Sequence, residues 1–328
     1  MDSKYSFEQA YAVYNAYKDS SVEDELYNKL KQLSFGRFTG NNSIGGTSGI
    51  HVDGELNFYG GMIIGNHTTS TVGGMIVNKN AVLNFYDGLI IGNKGSMVGG
   101  IYSQDCKQMN IFNGIIACNE NLVPNANLVA HAGGIAFDGT NSDFNIYGGI
   151  ISNNKSAARA GGVMVKAAKV FQFVGGEIVN NHSTLYGGGI YVYKTKYALL
   201  QNAKISNNIS DGSTGGAHLN MIEKASLHNM EITNNQATGQ GGAVFIDGNI
   251  SNIEMDNTRI ANNMALDGSG IYILNGQVQL KNTFVVDNES TSTNSVGAIT
   301  LNKDAGNIFV KCGVVIANNI DGNNKGAD

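Results

Sequence analysis

One phrase returns through most of this chain and limits what it can fold into: a β-branched residue, two spacers, an asparagine, then a small-residue turn that ends in paired glycines. Aligned on the asparagine, ten copies place it at Asn66, Asn93, Asn119, Asn154, Asn181, Asn208, Asn235, Asn263, Asn288 and Asn318, with Asn41 as a partial copy before them. Most spacings are 25 to 28 residues, with one of 35 and a last one of 30. Three positions earlier stands Ile63, Ile90, Ile116, Ile151, Ile178, Ile205, Ile232, Ile260, Val285 or Val315, so that position is β-branched in every copy.

Two further columns are apolar throughout. One runs from Leu56, Leu83 and Met109 to Val278 and Ile308; the other, two residues later, runs from Phe58, Phe85 and Ile111 to Leu280 and Val310. Between them lies a mostly polar column that begins Asn57, Asn84, Asn110, Asn145 and Gln172. This period of two describes a strand with one buried face. A further strand follows each glycine pair, as in Gly187-Gly188-Gly189-Ile190-Tyr191-Val192, which gives about three short strands per copy.

A unit of this length cannot bury its own apolar face and must stack on its neighbours. Helical repeats are excluded, because glycine, asparagine and β-branched residues interrupt any 3.6-residue period. The expected fold is all-β: a right-handed parallel β-helix of about ten coils over 37–328, preceded by an N-terminal helical cap or linker over 1–36. Phe7, Tyr11, Tyr14 and Tyr17 fall at helical spacing, and Val22, Leu26, Leu30 and Leu33 form a second apolar face, so two short helices are predicted to cover the first coil. At the other end the pattern stops just after a ladder position, which predicts cover by further chain or by an oligomer partner.

The asparagine column reads as structural. Asparagine tolerates a left-handed backbone at a tight turn, and stacked amides can bond from coil to coil. Triplets of the N-glycosylation type at Asn66, Asn154, Asn181, Asn208 and Asn288 coincide with this column and are expected to stay unmodified. The glycine pairs read as positions of positive φ or close backbone approach, not as phosphate cradles, because they recur in nearly every copy.

These residues resemble bacterial cell-surface β-helix repeat proteins, including the passenger regions of chlamydial polymorphic membrane proteins. The hallmark there pairs Phe-x-x-Asn with Gly-Gly-Ala-Ile. Here the first half stands as Ile151-Ser152-Asn153-Asn154 and Ile178-Val179-Asn180-Asn181, and the second as Gly241-Gly242-Ala243-Val244. The resemblance covers about residues 37–328, with Ile or Val in place of Phe. It implies a pectin lyase-like β-helix and an extracellular or cell-surface rod, adhesin-like or structural, whose partner is a host or cell-surface glycan or protein.

One outward column is the candidate ligand-binding surface: Tyr59, Tyr86, Phe112 and Tyr147, flanked by Asn57, Asn84, Asn110 and Asn145. Aromatic rings beside amides suit sugar rings or a partner's apolar patch; the competing reading is that the rings only stack on one another. A second strip, Tyr191, Leu219, Phe245 and Tyr272, depends on register, since a one-residue slip would bury it.

The alternative function is a polysaccharide-degrading lyase or glycoside hydrolase. Its catalytic group would be Glu254, Asp256, Arg259 and Lys281, with His228 one coil earlier, since such chemistry needs clustered carboxylates or an acidic group beside a base. Mixed charges on a solvated sheet face argue against it. No cofactor is expected. His51, His67, His131, His182 and His218 read as turn and surface residues without metal-ligand spacing, and Cys106, Cys118 and Cys312 suggest neither a disulfide framework nor a zinc site. Thr68, Thr69 and Thr71 sit in one turn and make no ice-binding column. A formal net charge of −5 with scattered Lys and Arg gives no nucleic-acid footprint. No stretch reads as a transmembrane helix, and no signal peptide is read at the start.

Overall fold

The computed structural model describes residues 37–124, 131–248, 252–293, 297–302 and 306–322. The predicted cap helices, and most of the loop in the 35-residue spacing, lie outside the described residues. Over the described residues the chain is a right-handed parallel β-helix of about ten coils. Every strand between the ends pairs in parallel with its equivalent one copy earlier and one copy later, which makes one eleven-stranded and three ten-stranded sheets. At about 4.8 Å per coil the rod is on the order of 50 Å long.

Each coil holds four strands where the sequence suggested three. The first sheet carries the β-branched triplets, from Arg37–Thr39 and Met62–Ile64 to Val315–Ala317. A two-residue strand then forms the second sheet, from Asn42–Ser43 to Glu289–Ser290. The third sheet follows the glycine pairs, from Ile50–Val52 to Ile299–Leu301, and the fourth runs from Glu55–Phe58 to Gly306–Val310. The two-residue strand has no periodicity of its own to read. What betrays it is the small residue two after most ladder asparagines: Thr68, Ser156, Ser183, Ser210 and Ser290 turn inward there and are buried. The same requirement produces the glycosylation-type triplets, whose asparagines are all fully buried.

The register of the fourth sheet matches the two apolar columns and the polar one between them: Leu56 pairs with Leu83, Asn57 with Asn84 and Phe58 with Phe85, and so on to Leu280 with Val310. The inward residues of the first, third and fourth sheets fuse into a single core that runs the length of the rod, including Ile63, Ile90, Ile116, Phe85, Phe144, Phe171 and Phe173. A second, smaller cluster lies on the outer face of the first sheet, where Met62, Ile64, Leu89, Ile91 and Ile115 are also buried.

The asparagine ladder runs from Asn41 to the last coil. Each Oδ1 accepts both the backbone N–H and the side-chain N–H of its predecessor: Asn93 gives its two donors to Asn119 at 3.0 and 2.9 Å. Each Nδ2 also reaches back to a carbonyl of the preceding coil, as Asn93 does to Ile63 at 2.9 Å. Every amide is thereby satisfied without water, as full burial demands.

The last rung corrects the sequence reading. Asn319, not Asn318, receives the bonds from Asn288, both at 2.9 Å, and is fully buried. The positive φ likewise falls on the residue before each ladder member rather than on the member itself: Asn153, Asn180, Asn207, Asn234 and Asn262 lie between 53° and 58°, and Asn318 at 59° joins that series. In an Asn-Asn pair the first residue makes the left-handed turn and the second points inward, so Ile316, not Val315, is the inward residue three positions earlier.

The glycine pairs are set by close approach. A Cβ on Gly162 would lie 2.6 Å from the carbonyl oxygen of Gly189 and 3.1 Å from Nδ2 of Asn181. The chain there runs directly against the next coil and the ladder.

Candidate functional site

The proposed aromatic strip exists as a continuous column on the corner that leads from the fourth sheet to the first. Ring centroids are 4.7 Å apart for Tyr59–Tyr86, 4.7 Å for Tyr86–Phe112 and 5.1 Å for Phe112–Tyr147, with interplanar angles of 4°, 6° and 15°. Tyr59 ends the column and is 72% exposed, while Phe112 and Tyr147 are 36% and 41% exposed. The coil repeat imposes this spacing, because parallel strands in register hold equivalent side chains one coil apart.

The stacking changes what the strip can do. Interior ring faces are spent on one another, so a sugar cannot lie flat against Tyr86 or Phe112; the column offers ring edges, the tyrosine hydroxyls and the outer face of Tyr59. Beside it runs a second amide ladder, with Asn84 Nδ2 donating to Asn57 at 2.9 Å, Asn110 to Asn84 at 2.7 Å and Asn145 to Asn110 at 2.9 Å. Asn57 is exposed and Asn84 half-buried, but Asn110 and Asn145 are buried and present little polar surface.

The second strip needs two corrections. Its register runs Tyr191, His218, Phe245, Tyr272, and Leu219 points into the core. The strip is also covered: Tyr191, His218 and Phe245 are all buried. Tyr186 packs edge-on against His218 at 5.5 Å, with the Arg159 guanidinium 5.8 Å above the Tyr186 ring. His218 is therefore not a surface residue, and neither is His131. Burial, with a smaller contribution from Arg159, pulls the His218 pKa down to about 3 and keeps the ring neutral. Its Nδ1 lies 3.3 Å from the Thr214 hydroxyl.

The candidate catalytic residues fall on two sheets: Glu254, Asp256 and Lys281, with His228, lie on adjacent strands of the fourth sheet, and Arg259 lies on the first. Asp256 accepts a hydrogen bond from Asn282 at 2.9 Å and pairs with Lys281 at 3.2 Å, and these two partners hold its carboxyl below the usual range. A carboxylate so held is a poor proton donor. His228 pairs with Asp256 across adjacent strands, and Glu254 stands two residues earlier on the same strand, while Arg259 is on a different sheet and lines a groove at the corner. Among the described residues no three His, Cys, Asp or Glu side chains gather to hold a metal ion, and no helix is long and apolar enough to cross a membrane.

That groove has a volume of about 650 Å³, and no motif in the sequence marks it. It opens where the corner changes character. Gly61, Gly88, Gly114, Gly149 and Gly176 turn the earlier coils with positive φ; in later coils Asn202, Asn229, Asn257 and Asn282 do so. The readable signal is the replacement of the corner glycines by asparagines over the four coils after Gly176, before Gly313 restores one in the last coil.

None of the protein-family models compared with the chain matches it, and neither the curated proteins nor the solved structures give a match. The class is accordingly defined by geometry: an asparagine-laddered parallel β-helix rod.

Proposed function

We propose that the chain is a non-catalytic, adhesin-like or structural rod of the extracellular space or cell surface, and that it engages a glycan or partner protein through its aromatic column. The observation that carries this reading is the stack of Tyr59, Tyr86, Phe112 and Tyr147, exposed at all but the half-buried Tyr86, on a rigid scaffold. Each ring is held by its neighbours, so little side-chain freedom remains to be lost on binding. A row of ring edges ending in hydroxyls suits the flat, partly apolar surface of a protein better than the face of a sugar ring. The degradative alternative has less support, because the Asp256 carboxylate is engaged by Lys281 and Asn282.

The test compares two triple variants in a cell- or tissue-binding assay. Changing Tyr59, Tyr86 and Tyr147 to Ser removes rings and hydroxyls, and binding should be lost. Changing the same three to Phe keeps the stack; retained binding then assigns recognition to the ring edges, and lost binding assigns it to the hydroxyls. Undiminished binding by a folded Ser variant would refute the reading.

A further inference from the structure

The groove at the corner between the fourth and first sheets carries an ordered pattern of charge. In the first sheet the leading outward position reads Met62, Leu89, Ile115 and Ile150 over four coils, then Glu177, Lys204, Glu231 and Arg259 over the next four. The four charges alternate in sign, one per coil, and all line the groove. Cross-strand neighbours of opposite sign commonly pair, yet among the described residues none of these four makes an ion pair. Their charged ends remain available to a ligand.

Along the same groove runs a third amide ladder, with Asn229 Nδ2 donating to Asn202 at 2.7 Å and Asn257 to Asn229 at 3.0 Å. All three amides are exposed. Each link uses one N–H and one oxygen lone pair, leaving each amide a further donor and acceptor for hydroxyl groups. Buried Ala203 and Met230 contribute apolar surface to the groove wall.

We propose that this groove binds a linear glycan lying along the rod axis, one in which carboxylate and amine groups alternate from sugar to sugar. Successive charges on the protein lie about 4.8 Å apart and the four span about 14 Å. A sugar ring with its linking oxygen is close to one coil long, so each unit meets one charge, and three of the four also meet an amide. An extended peptide fits poorly, because its same-face side chains recur about every 6.8 Å and fall out of step within two coils. A polymer with the same charge on every sugar would meet a like charge in every second coil, and one with a single sign of charge on alternate sugars would leave two of the four protein charges unpaired. This site is separate from the aromatic column and does not rest on it.

The test uses the whole chain and labelled oligosaccharides of N-deacetylated heparosan, in which glucosamine and glucuronate alternate, beside hyaluronan and chitosan oligosaccharides of equal length. The deacetylated heparosan should bind at least tenfold more tightly than either, and more weakly as salt rises. Lys204→Gln with Arg259→Gln, and separately Glu177→Gln with Glu231→Gln, should each lower that affinity at least tenfold without moving the melting temperature. The Tyr59, Tyr86, Tyr147 to Phe variant should bind as the parent does. Equal binding of the three polymers, no binding of any, or unchanged binding in both charge-neutralised variants would overturn the proposal. Loss of binding in the Phe variant alone would transfer the glycan to the aromatic column and overturn it equally.

Discussion

Oδ1 of Asn181 accepts two hydrogen bonds from Asn154, one from its backbone N–H and one from its side-chain amide, each at 3.0 Å. The Asn181 amide in turn donates to Ile151 and Asn208. Removing this one side chain strands donors and acceptors on both sides of it in a fully buried channel. Asn181→Ala should destabilise the rod by about 2–4 kcal/mol, measured by denaturant unfolding, whereas Asn57→Ala, at the exposed end of the outer ladder, should cost less than about 1 kcal/mol.

Gly162 faces the next coil with no room for a methyl group, since a Cβ there would meet the Gly189 oxygen, Ile178 Cγ2 at 2.9 Å and the Asn181 amide. Gly162→Ala should cost about 1–3 kcal/mol by overpacking. Its φ is not in the left-handed region, so a stability loss here reports crowding and not backbone strain.

Of the three thiols, Cys106 and Cys118 are buried and Cys312 is exposed. Burial pushes the Cys106 thiol up to about 11 and the Cys118 thiol up to about 12. A maleimide or disulfide reagent at neutral pH should therefore label one thiol per native chain, and none in Cys312→Ser. Fast labelling of a second site would contradict the packing of these coils.

His218 gives the rod an acid sensitivity. Its folded-state pKa, about 3, lies below the value near 6.5 expected in the unfolded chain. Below about pH 6.5 the unfolded chain takes up a proton that the folded chain refuses, so stability falls as pH falls and continues to fall until about pH 3. The slope approaches about 1.4 kcal/mol per pH unit in the middle of that window. His218→Phe, an aromatic in keeping with Tyr191 and Phe245 on either side, should remove this contribution from the pH profile of unfolding.

The repeating parts of this architecture were legible in the sequence because each follows from a constraint applied about ten times. The apolar columns, the polar column between them and the buried amides all recur in register, and the structure pairs them accordingly. Asn318 was misassigned for a physical reason: in an Asn-Asn pair both residues are asparagine for different causes, backbone chirality in the first and hydrogen bonding in the second, and spacing alone does not separate them. Leu219 was misplaced by one residue because period two is unforgiving at a strand whose neighbours on both faces are apolar. The burial of His218 has no local signal, because the cover comes from Tyr186 packing over the outer face of its sheet. The charge alternation at Glu177, Lys204, Glu231 and Arg259 was present in the same alignment, but it emerges only once the corner groove gives those positions a shared wall.

Coil stacking itself is tested most directly by distances along one outward column. Spin labels placed by cysteine substitution at Asn57 and at Ser226, Glu254 or Phe309, in a Cys312→Ser background, should lie six, seven and nine coils apart. Pulsed electron resonance should then return narrow distributions near about 29, 34 and 43 Å, growing by about 4.8 Å per coil. Separations that do not increase in step with coil number would contradict the stacked arrangement and remove every face proposed on it.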